Sequence, residues 1–171
     1  MLKVKGINIY KSARILSLQH ARKLVIKLKS KNKKVGLCHG GFDLLHPGHI
    51  KHFESAKRLC DILFVSVTSD KFVSVRKGFS RPIFSDKLRA YMIASVRFVD
   101  YVVISNFKTG IEIIKILKPD YYIKGPDYME SKDNDLIDEK KAIASFGGKI
   151  RYTKDQKLST TDLISYVKDK I

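Results

Sequence analysis

Several residue types and patterns are scarce in this 171-residue chain, and each scarcity excludes a class of protein. The only two cysteines, Cys38 and Cys60, form neither a disulfide framework nor a metal-binding spacing, and they are predicted to be buried thiols in a reducing compartment. No apolar run is long enough to span a bilayer, and residues 1–10 lack the apolar run and cleavage site of a signal peptide. We therefore expect a cytoplasmic protein with no membrane partner.

Acidic residues are also scarce relative to basic ones. The chain carries 34 Lys and Arg against 17 Asp and Glu, a formal net charge of +17. Such a balance favours anionic partners, including nucleic acid. However, the lysines are dispersed along the whole chain, whereas a nucleic-acid-binding surface needs clustered cations and stacking aromatics. We expect no nucleic-acid partner, and a non-catalytic basic nucleic-acid-binding module remains the alternative of a different class.

Short apolar runs alternate with amphipathic stretches, which is typical of an α/β protein. Strands are predicted at 35–38, 61–68, 101–104, 121–124 and 149–152. Helices are predicted at 17–29, from Pro47 onward, and at 85–96, 110–117, 138–146 and 161–168. We expect one Rossmann-like domain with a five-stranded, mostly parallel sheet in the order 3-2-1-4-5 and helices on both faces. A lead-in helix within residues 1–32 is expected to pack on a domain spanning 33–171. Residues 130–141 are interpreted as a solvated loop.

The segment GGFDLLHPGH, directly after the first predicted strand, carries the strongest chemical signal. In parallel α/β sheets, ligands bind at the carboxyl ends of the strands, where this segment lies. Gly40 and Gly41 allow a ligand to approach the backbone closely. The helix that begins near Pro47 offers free N–H groups and a positive dipole end to a phosphate. His46 and His49 are three residues apart in its first turn, so both rings can face one anion.

A zinc site is the main alternative for these histidines, because His52 extends the spacing to HxxHxxH. No cysteine or carboxylate stands at a suitable spacing to complete it, and zinc ligands usually come from more than one element. The sequence therefore predicts a phosphate site and no protein-bound metal.

The segment GGFDLLHPGHI resembles the signature of the cytidylyltransferase-like nucleotidyltransferases, whose HxGH motif corresponds to residues 46–49. LSTT at residues 158–161 is similar to a second motif of that family. Further matches fall between them in the expected order: Lys77-Gly78, Arg81-Pro82, Arg89, Val99-Asp100, Lys118-Pro119-Asp120 and residues 123–128. Several motifs in order, on the appropriate elements, form a specific signal.

Within the family, the chain looks most similar to the adenylyltransferase of ADP-heptose synthesis and its relatives fused to sugar kinases. Two departures stand out. Pro126 occupies a position that is often glycine in the KGGDY segment of those enzymes, and KDQKLSTT replaces the RTEGISTT of glycerol-3-phosphate cytidylyltransferases.

The resemblance implies an enzyme that transfers a nucleoside monophosphate from a triphosphate, by expectation ATP, to a heptose-1-phosphate-like sugar phosphate. The products would be pyrophosphate and an NDP-sugar for cell-surface polysaccharide synthesis. The alternative is a CTP-dependent cytidylyltransferase acting on glycerol 3-phosphate or a polyol phosphate. Mg²⁺ is expected to arrive with the triphosphate. The resemblance also implies a homodimer.

The resemblance further assigns roles to individual residues. It implies catalytic roles for His46, His49 and Lys77. The implied nucleotide-binding residues are Gly40, Gly41, Phe42, Arg81, Lys124, Asp127, Ser159 and Thr160. Lys77 and Arg81 are expected on a mobile loop after the second predicted strand. Two simpler interpretations stay open: an ordinary helix cap at Ser159 and Thr160, and a surface ion pair between Lys124 and Asp127.

Overall fold

Strands and helices alternate along the chain in the computed structural model. The structure describes residues 9–78, 80–131, 133–156 and 160–170, without the side chains of Lys77, Thr161 and Asp162. The strands are β1 (Ile15–Leu16), β2 (Val35–Gly40), β3 (Ile62–Thr68), β4 (Tyr101–Ser105), β5 (Tyr121–Lys124) and β6 (Lys149–Tyr152). The helices are α1 (Leu18–Lys29), α2 (Pro47–Lys57), α3 (Asp70–Lys77), α4 (Asp86–Ala94), α5 (Ile111–Leu117), α6 (Asn134–Ala144) and α7 (Thr160–Lys168), with a 3-10 helix at Pro126–Tyr128.

The six strands form one sheet in the order β1-β4-β3-β2-β5-β6, and every neighbouring pair is parallel. The five predicted strands therefore occur in the predicted order. The predicted number of five is wrong, because Ile15–Leu16 adds a sixth strand against β4 at the edge. Two residues are too short to show a strand periodicity, and only the pairing with β4 identifies them as a strand.

Burial on both faces explains the nearly continuous apolar sequence of β3. Leu63 and Val65 pack into one core cluster and Phe64 into the other, as alternation along a strand requires. Phe53 of α2 belongs to the first cluster, while Val25 of α1 belongs to the second. Helices thus cover both faces of the sheet, and its carboxyl edge is left for the connecting loops.

Two helical segments differ from the sequence prediction. The segment after β3, predicted as a mobile loop, forms α3 and ends at Gly78, whose φ is 94°. Its sequence DKFVSVRK contains two valines, and among its described side chains only Val73 is buried, so the helical signal is weak. Helix α6 begins at Asn134 rather than 138, and Asp133 caps it. The prediction of a solvated loop over 130–141 is therefore wrong for most of that range.

Both cysteines are free thiols, Cys38 buried and Cys60 partly buried. Burial raises the pKa of both thiols, that of Cys60 to about 12. Among the described residues, no helix has both the length and the apolar character needed to cross a membrane.

Candidate active site

A cavity of about 470 Å³ opens at the carboxyl edge of the sheet. Its walls come from the segments that follow β2, β4, β5 and β6, from the N-terminal part of α2, and from α3 and α6. Eight of the residues implied by the resemblance line it: Gly40, Gly41, Phe42, His46, His49, Lys124, Asp127 and Thr160. The topology thus gathers residues more than a hundred positions apart around one space.

The turn after β2 has a strained residue at its centre. Phe42 has a φ of 44°, in the left-handed region that non-glycine residues rarely occupy. Its ring packs 5.2 Å from the rings of both Phe53 and His49. A Cβ on Gly40 would stand 3.1 Å from the Phe42 ring, so glycine leaves room for this arrangement. Packing therefore fixes the backbone that faces the cavity.

His46 and His49 form a stacked pair at the beginning of α2. His46 is the N-cap, and its Nδ1 accepts a hydrogen bond from the His49 backbone N–H at 3.3 Å. The two ring centroids are 3.7 Å apart and the planes differ by 22°. Both residues line the cavity. Imidazoles and backbone N–H groups at a helix N-terminus make this wall suited to a phosphate chain.

The other two cavity histidines are held by hydroxyl groups. His39 lies 3.1 Å from Ser66 Oγ through Nδ1, and His52 lies 3.0 Å from Thr153 Oγ1. Burial lowers the pKa of His39 to about 3, with Lys124 adding to the effect, and burial also lowers the pKa of His52. Both rings are therefore neutral at pH 7. Within the described ranges, no three His, Cys, Asp or Glu side chains converge as metal ligands.

A fully buried arginine stabilises the turn after β2. Arg89 of α4 donates hydrogen bonds to the carbonyls of Gly41 and Phe84, the latter at 3.0 Å, and its Nη2 lies 2.7 Å from Asp70 Oδ1. The sequence matched Arg89 to the family without giving it a role. Its position among apolar residues of α4 was the available signal, since an unpaired arginine is almost never buried.

Arg81 and Lys77 are placed differently from the other implied residues. Arg81 Nε lies 2.5 Å from Oδ2 of the buried Asp43, whose Oδ1 accepts a hydrogen bond from Ile83 N. Arg81 does not line the cavity. Lys77 is the last residue of α3 and not part of a loop, and its side chain lies outside the described structure. Their implied roles stay predictions.

Lys124 takes part in a buried network at the end of β5. Its Nζ lies 2.9 Å from Glu139 Oε2 and 3.3 Å from the Tyr122 hydroxyl, and 4.1 Å from the centroid of the Tyr128 ring. The other Glu139 oxygen accepts a hydrogen bond from Gly110 N at 2.9 Å. Burial and the nearby Glu139 carboxylate raise the pKa of Tyr122 well above its ordinary value.

This network corrects one interpretation and adds one residue. Lys124 is not in a surface ion pair with Asp127, because Lys124 is buried with Glu139, while Asp127 is exposed at the cavity. Glu139 was not among the residues predicted from the sequence. Its signal was a carboxylate three residues after Leu136 on the buried face of a helix, where an acidic residue requires a partner.

The remaining wall includes Thr153, Asp155 and Gln156, which follow β6, and Thr160 at the start of α7. Thr160 begins α7, is 6% exposed, and its Oγ1 lies 3.5 Å from the carbonyl oxygen of Leu44. Ser159 lies outside the described residues. Asp155, which the sequence analysis did not select, lines the cavity and accepts a 2.7 Å hydrogen bond from Ser55 Oγ of α2.

Comparisons with known proteins relate the chain as a whole to a protein family. The sequence model of a family described as cytidylyltransferase-like matches residues 37–165. The bifunctional protein HldE of Campylobacter jejuni subsp. doylei is 40% identical over 154 residues, covering 90% of this chain and 32% of that protein. The HldE of Helicobacter pylori is 44% identical over 110 residues, 64% of this chain and 24% of that protein. The chain thus spans about a third or less of the length of these relatives.

Two solved structures share the fold. A lipopolysaccharide core biosynthesis protein from Thermoplasma volcanium superposes with a TM-score of 0.58 at 25% identity, covering 74% of this chain and 99% of that one. Pantoate-beta-alanine ligase from Francisella tularensis gives 0.59 at 18% identity over 92% of this chain and 77% of that one, which bears on the fold alone. The predicted Rossmann-like α/β fold and the family resemblance are both confirmed.

Proposed function

This chain belongs to the cytidylyltransferase-like family of nucleotidyltransferases, and on that premise we propose that it transfers the adenylyl group of ATP to a heptose-1-phosphate-like sugar phosphate. The similarity to HldE proteins and to a lipopolysaccharide core biosynthesis protein supports a sugar phosphate destined for cell-surface polysaccharide. The products are an ADP-sugar and pyrophosphate.

The stacked pair of His46 and His49 at the α2 N-terminus carries this proposal. Both rings and the glycine turn line the same cavity as Thr160 at the start of α7. Two helix N-termini therefore flank one space, and each presents backbone N–H groups and a positive dipole end. A triphosphate has the charge and the length to bridge them.

In the proposed reaction, an oxygen of the sugar phosphate attacks the α-phosphorus in line. A new P–O bond forms while the bond to the oxygen that bridges to the β-phosphorus breaks, and pyrophosphate leaves with that electron pair. The attacking phosphate is already ionised, so no general base is required. The protein's contribution is to position the reactants and to stabilise charge on the departing pyrophosphate with His46, His49 and helix N–H groups.

The cavity suits a Mg²⁺ ion that is held mainly by the triphosphate. Among the described residues, no three ligating side chains converge, while Asp127 presents one exposed carboxylate at the cavity. One carboxylate, phosphate oxygens and water form a ligand set that Mg²⁺ commonly adopts. When bound, the ion would neutralise phosphate charge.

A matrix of nucleotides and acceptors tests the proposal. Pyrophosphate release is measured with ATP or CTP against heptose 1-phosphate and glycerol 3-phosphate, and the expected result is turnover with ATP and the sugar phosphate. Turnover confined to CTP and glycerol 3-phosphate would select the cytidylyltransferase alternative. No turnover together with tight, salt-sensitive DNA or RNA binding would select the non-catalytic module.

Two histidine variants test the role of the stacked pair of His46 and His49. His49→Ala is expected to lower kcat by about 10²–10³ with the fold intact, because it removes a group that stabilises the departing phosphates. His20→Ala, on the exposed side of α1, is the matched control and should keep full activity. Near-normal turnover by His49→Ala would refute the role. The cytoplasmic location and the homodimer stay predictions, and sedimentation of the purified chain tests the dimer.

A further inference from the structure

Asp155 lines the cavity, and its two carboxylate oxygens have different surroundings. Its Oδ1 accepts the hydrogen bond from Ser55 Oγ at 2.7 Å, which fixes the side chain against α2. Its Oδ2 is buried and has no hydrogen-bond partner in the part of the chain that the structure describes. Nor does any lysine or arginine of the described ranges form an ion pair with this carboxylate.

Leaving a buried carboxylate oxygen without a donor is costly, because water is lost and nothing replaces it. The nearby His52 does not neutralise the charge at pH 7, since burial lowers the pKa of that ring. The cost is offset when a ligand in the cavity supplies an N–H or O–H group to Asp155 Oδ2.

The position of Asp155 selects which part of a nucleotide supplies that donor. A phosphate is excluded, because it carries no donor and repels a carboxylate. Ser55, which anchors Asp155, lies six residues beyond His49 on α2, about 9 Å along the helix axis. That separation is comparable to the distance from the α-phosphate of a nucleotide to the far edge of its base.

We propose that Asp155 is a specificity-determining residue that accepts a hydrogen bond from the exocyclic amino group of the nucleobase. Adenine and cytosine both carry such a group, whereas hypoxanthine and uracil have a carbonyl oxygen at that position, which would face the carboxylate without a proton between them. The inference rests on the proposed use of a nucleoside triphosphate and deepens it by naming the group that is read.

Equilibrium binding with matched nucleotides tests the proposal without requiring turnover. Dissociation constants are measured by calorimetry for ATP against ITP and for CTP against UTP, with Mg²⁺. The wild type is expected to bind the amino-bearing nucleotide about tenfold to a hundredfold more tightly, as a hydrogen bond to a charged group predicts. The ATP and CTP arms show which base the cavity accepts.

Asp155→Asn is the decisive variant. Asparagine can keep its carbonyl oxygen on Ser55 and place its amide nitrogen where Oδ2 stood, so a donor replaces an acceptor. The preference is expected to shrink to about twofold or to reverse toward ITP or UTP. Asp138→Asn, at an exposed residue outside the cavity, is the matched control and should keep the wild-type ratio.

The outcomes separate this inference from the proposed function. An unchanged ATP-to-ITP ratio in Asp155→Asn would overturn the inference even if adenylyl transfer is observed. Equal loss of ATP and ITP binding would also overturn it, because that pattern indicates a contact with the ribose or a metal ion that both nucleotides share. Binding preferences that follow the prediction, without any transfer to a sugar phosphate, would support Asp155 and refute the proposed reaction. No binding of any triphosphate would refute both.

Discussion

Replacing Glu139 by glutamine should destabilise the protein strongly although it changes only one functional group. Lys124 and Glu139 have side chains 8% and 5% exposed, and their charged atoms are 2.9 Å apart. Glutamine keeps an oxygen for the Gly110 N–H, so the main loss is the negative charge opposite Lys124. Breaking one side of a buried pair costs about 3–5 kcal/mol.

The expected shift is large enough for a simple assay. In a chain of this size, 1 kcal/mol corresponds to roughly 2–4 °C in Tm, so about 3 kcal/mol lowers Tm by roughly 6–12 °C. Urea denaturation followed by circular dichroism gives the free energy of unfolding directly. Asp138→Asn breaks only an exposed ion pair with Lys141 and should change stability by less than about 0.5 kcal/mol.

A double variant tests whether the charges of Lys124 and Glu139 are coupled. Lys124→Met combined with Glu139→Gln removes both charges, so most of the lost stability should return. If Glu139→Gln alone stays within about 1 kcal/mol of wild type, the pair is not a buried charge pair. If the double variant loses the sum of the two single losses, the two residues are not coupled.

Three further predictions concern other parts of the site. His39 has a pKa of about 3 in the folded protein and about 6.5 in the unfolded chain. Between these pH values only the unfolded chain binds a proton at His39. The free energy of unfolding therefore falls as the pH drops below 6.5, by up to about 1.4 kcal/mol per pH unit. Urea denaturation between pH 7 and pH 5 should show a weaker dependence in His39→Asn, and equal slopes would contradict the assignment. EDTA should stop pyrophosphate release, reversibly with excess Mg²⁺, without lowering the Tm of the nucleotide-free protein; a lowered Tm would indicate a structural metal. Arg89→Lys should cost about 2–4 kcal/mol in urea denaturation, since lysine cannot reach two carbonyls and Asp70 together; a loss under about 1 kcal/mol would refute it.

The sheet was predictable because its signals are local. Strands such as β3 are nearly continuous apolar runs of the correct length, and helices with a serine cap and an apolar stripe, such as α1, stand out in a single window. Ile15–Leu16 and α3 carried no such signal. The first is defined by its pairing with β4, and the second is an eight-residue helix without a regular apolar stripe.

The candidate phosphate-binding turn was likewise predictable, because its glycines, histidines and helix start are contiguous from Gly40 to His49. The partners of charged groups were not. Lys124 pairs with Glu139 fifteen residues away, Arg89 reaches back to Gly41, and Asp155 is fixed by Ser55 a hundred residues earlier. None of these pairings leaves a periodic trace in the sequence.

Local features of the sequence sufficed to predict five of the six strands in their order, the family and a candidate phosphate-binding segment, since backbone propensity, apolar periodicity and a contiguous motif are properties of neighbouring residues. The three-dimensional arrangement was needed to show which carboxylate pairs with Lys124, which arginine contacts the turn after β2, and that one oxygen of Asp155 has no donor among the described residues. These pairings depend on distances between side chains that are far apart in the sequence and that the fold brings together. Burial makes any charged group without a partner energetically costly.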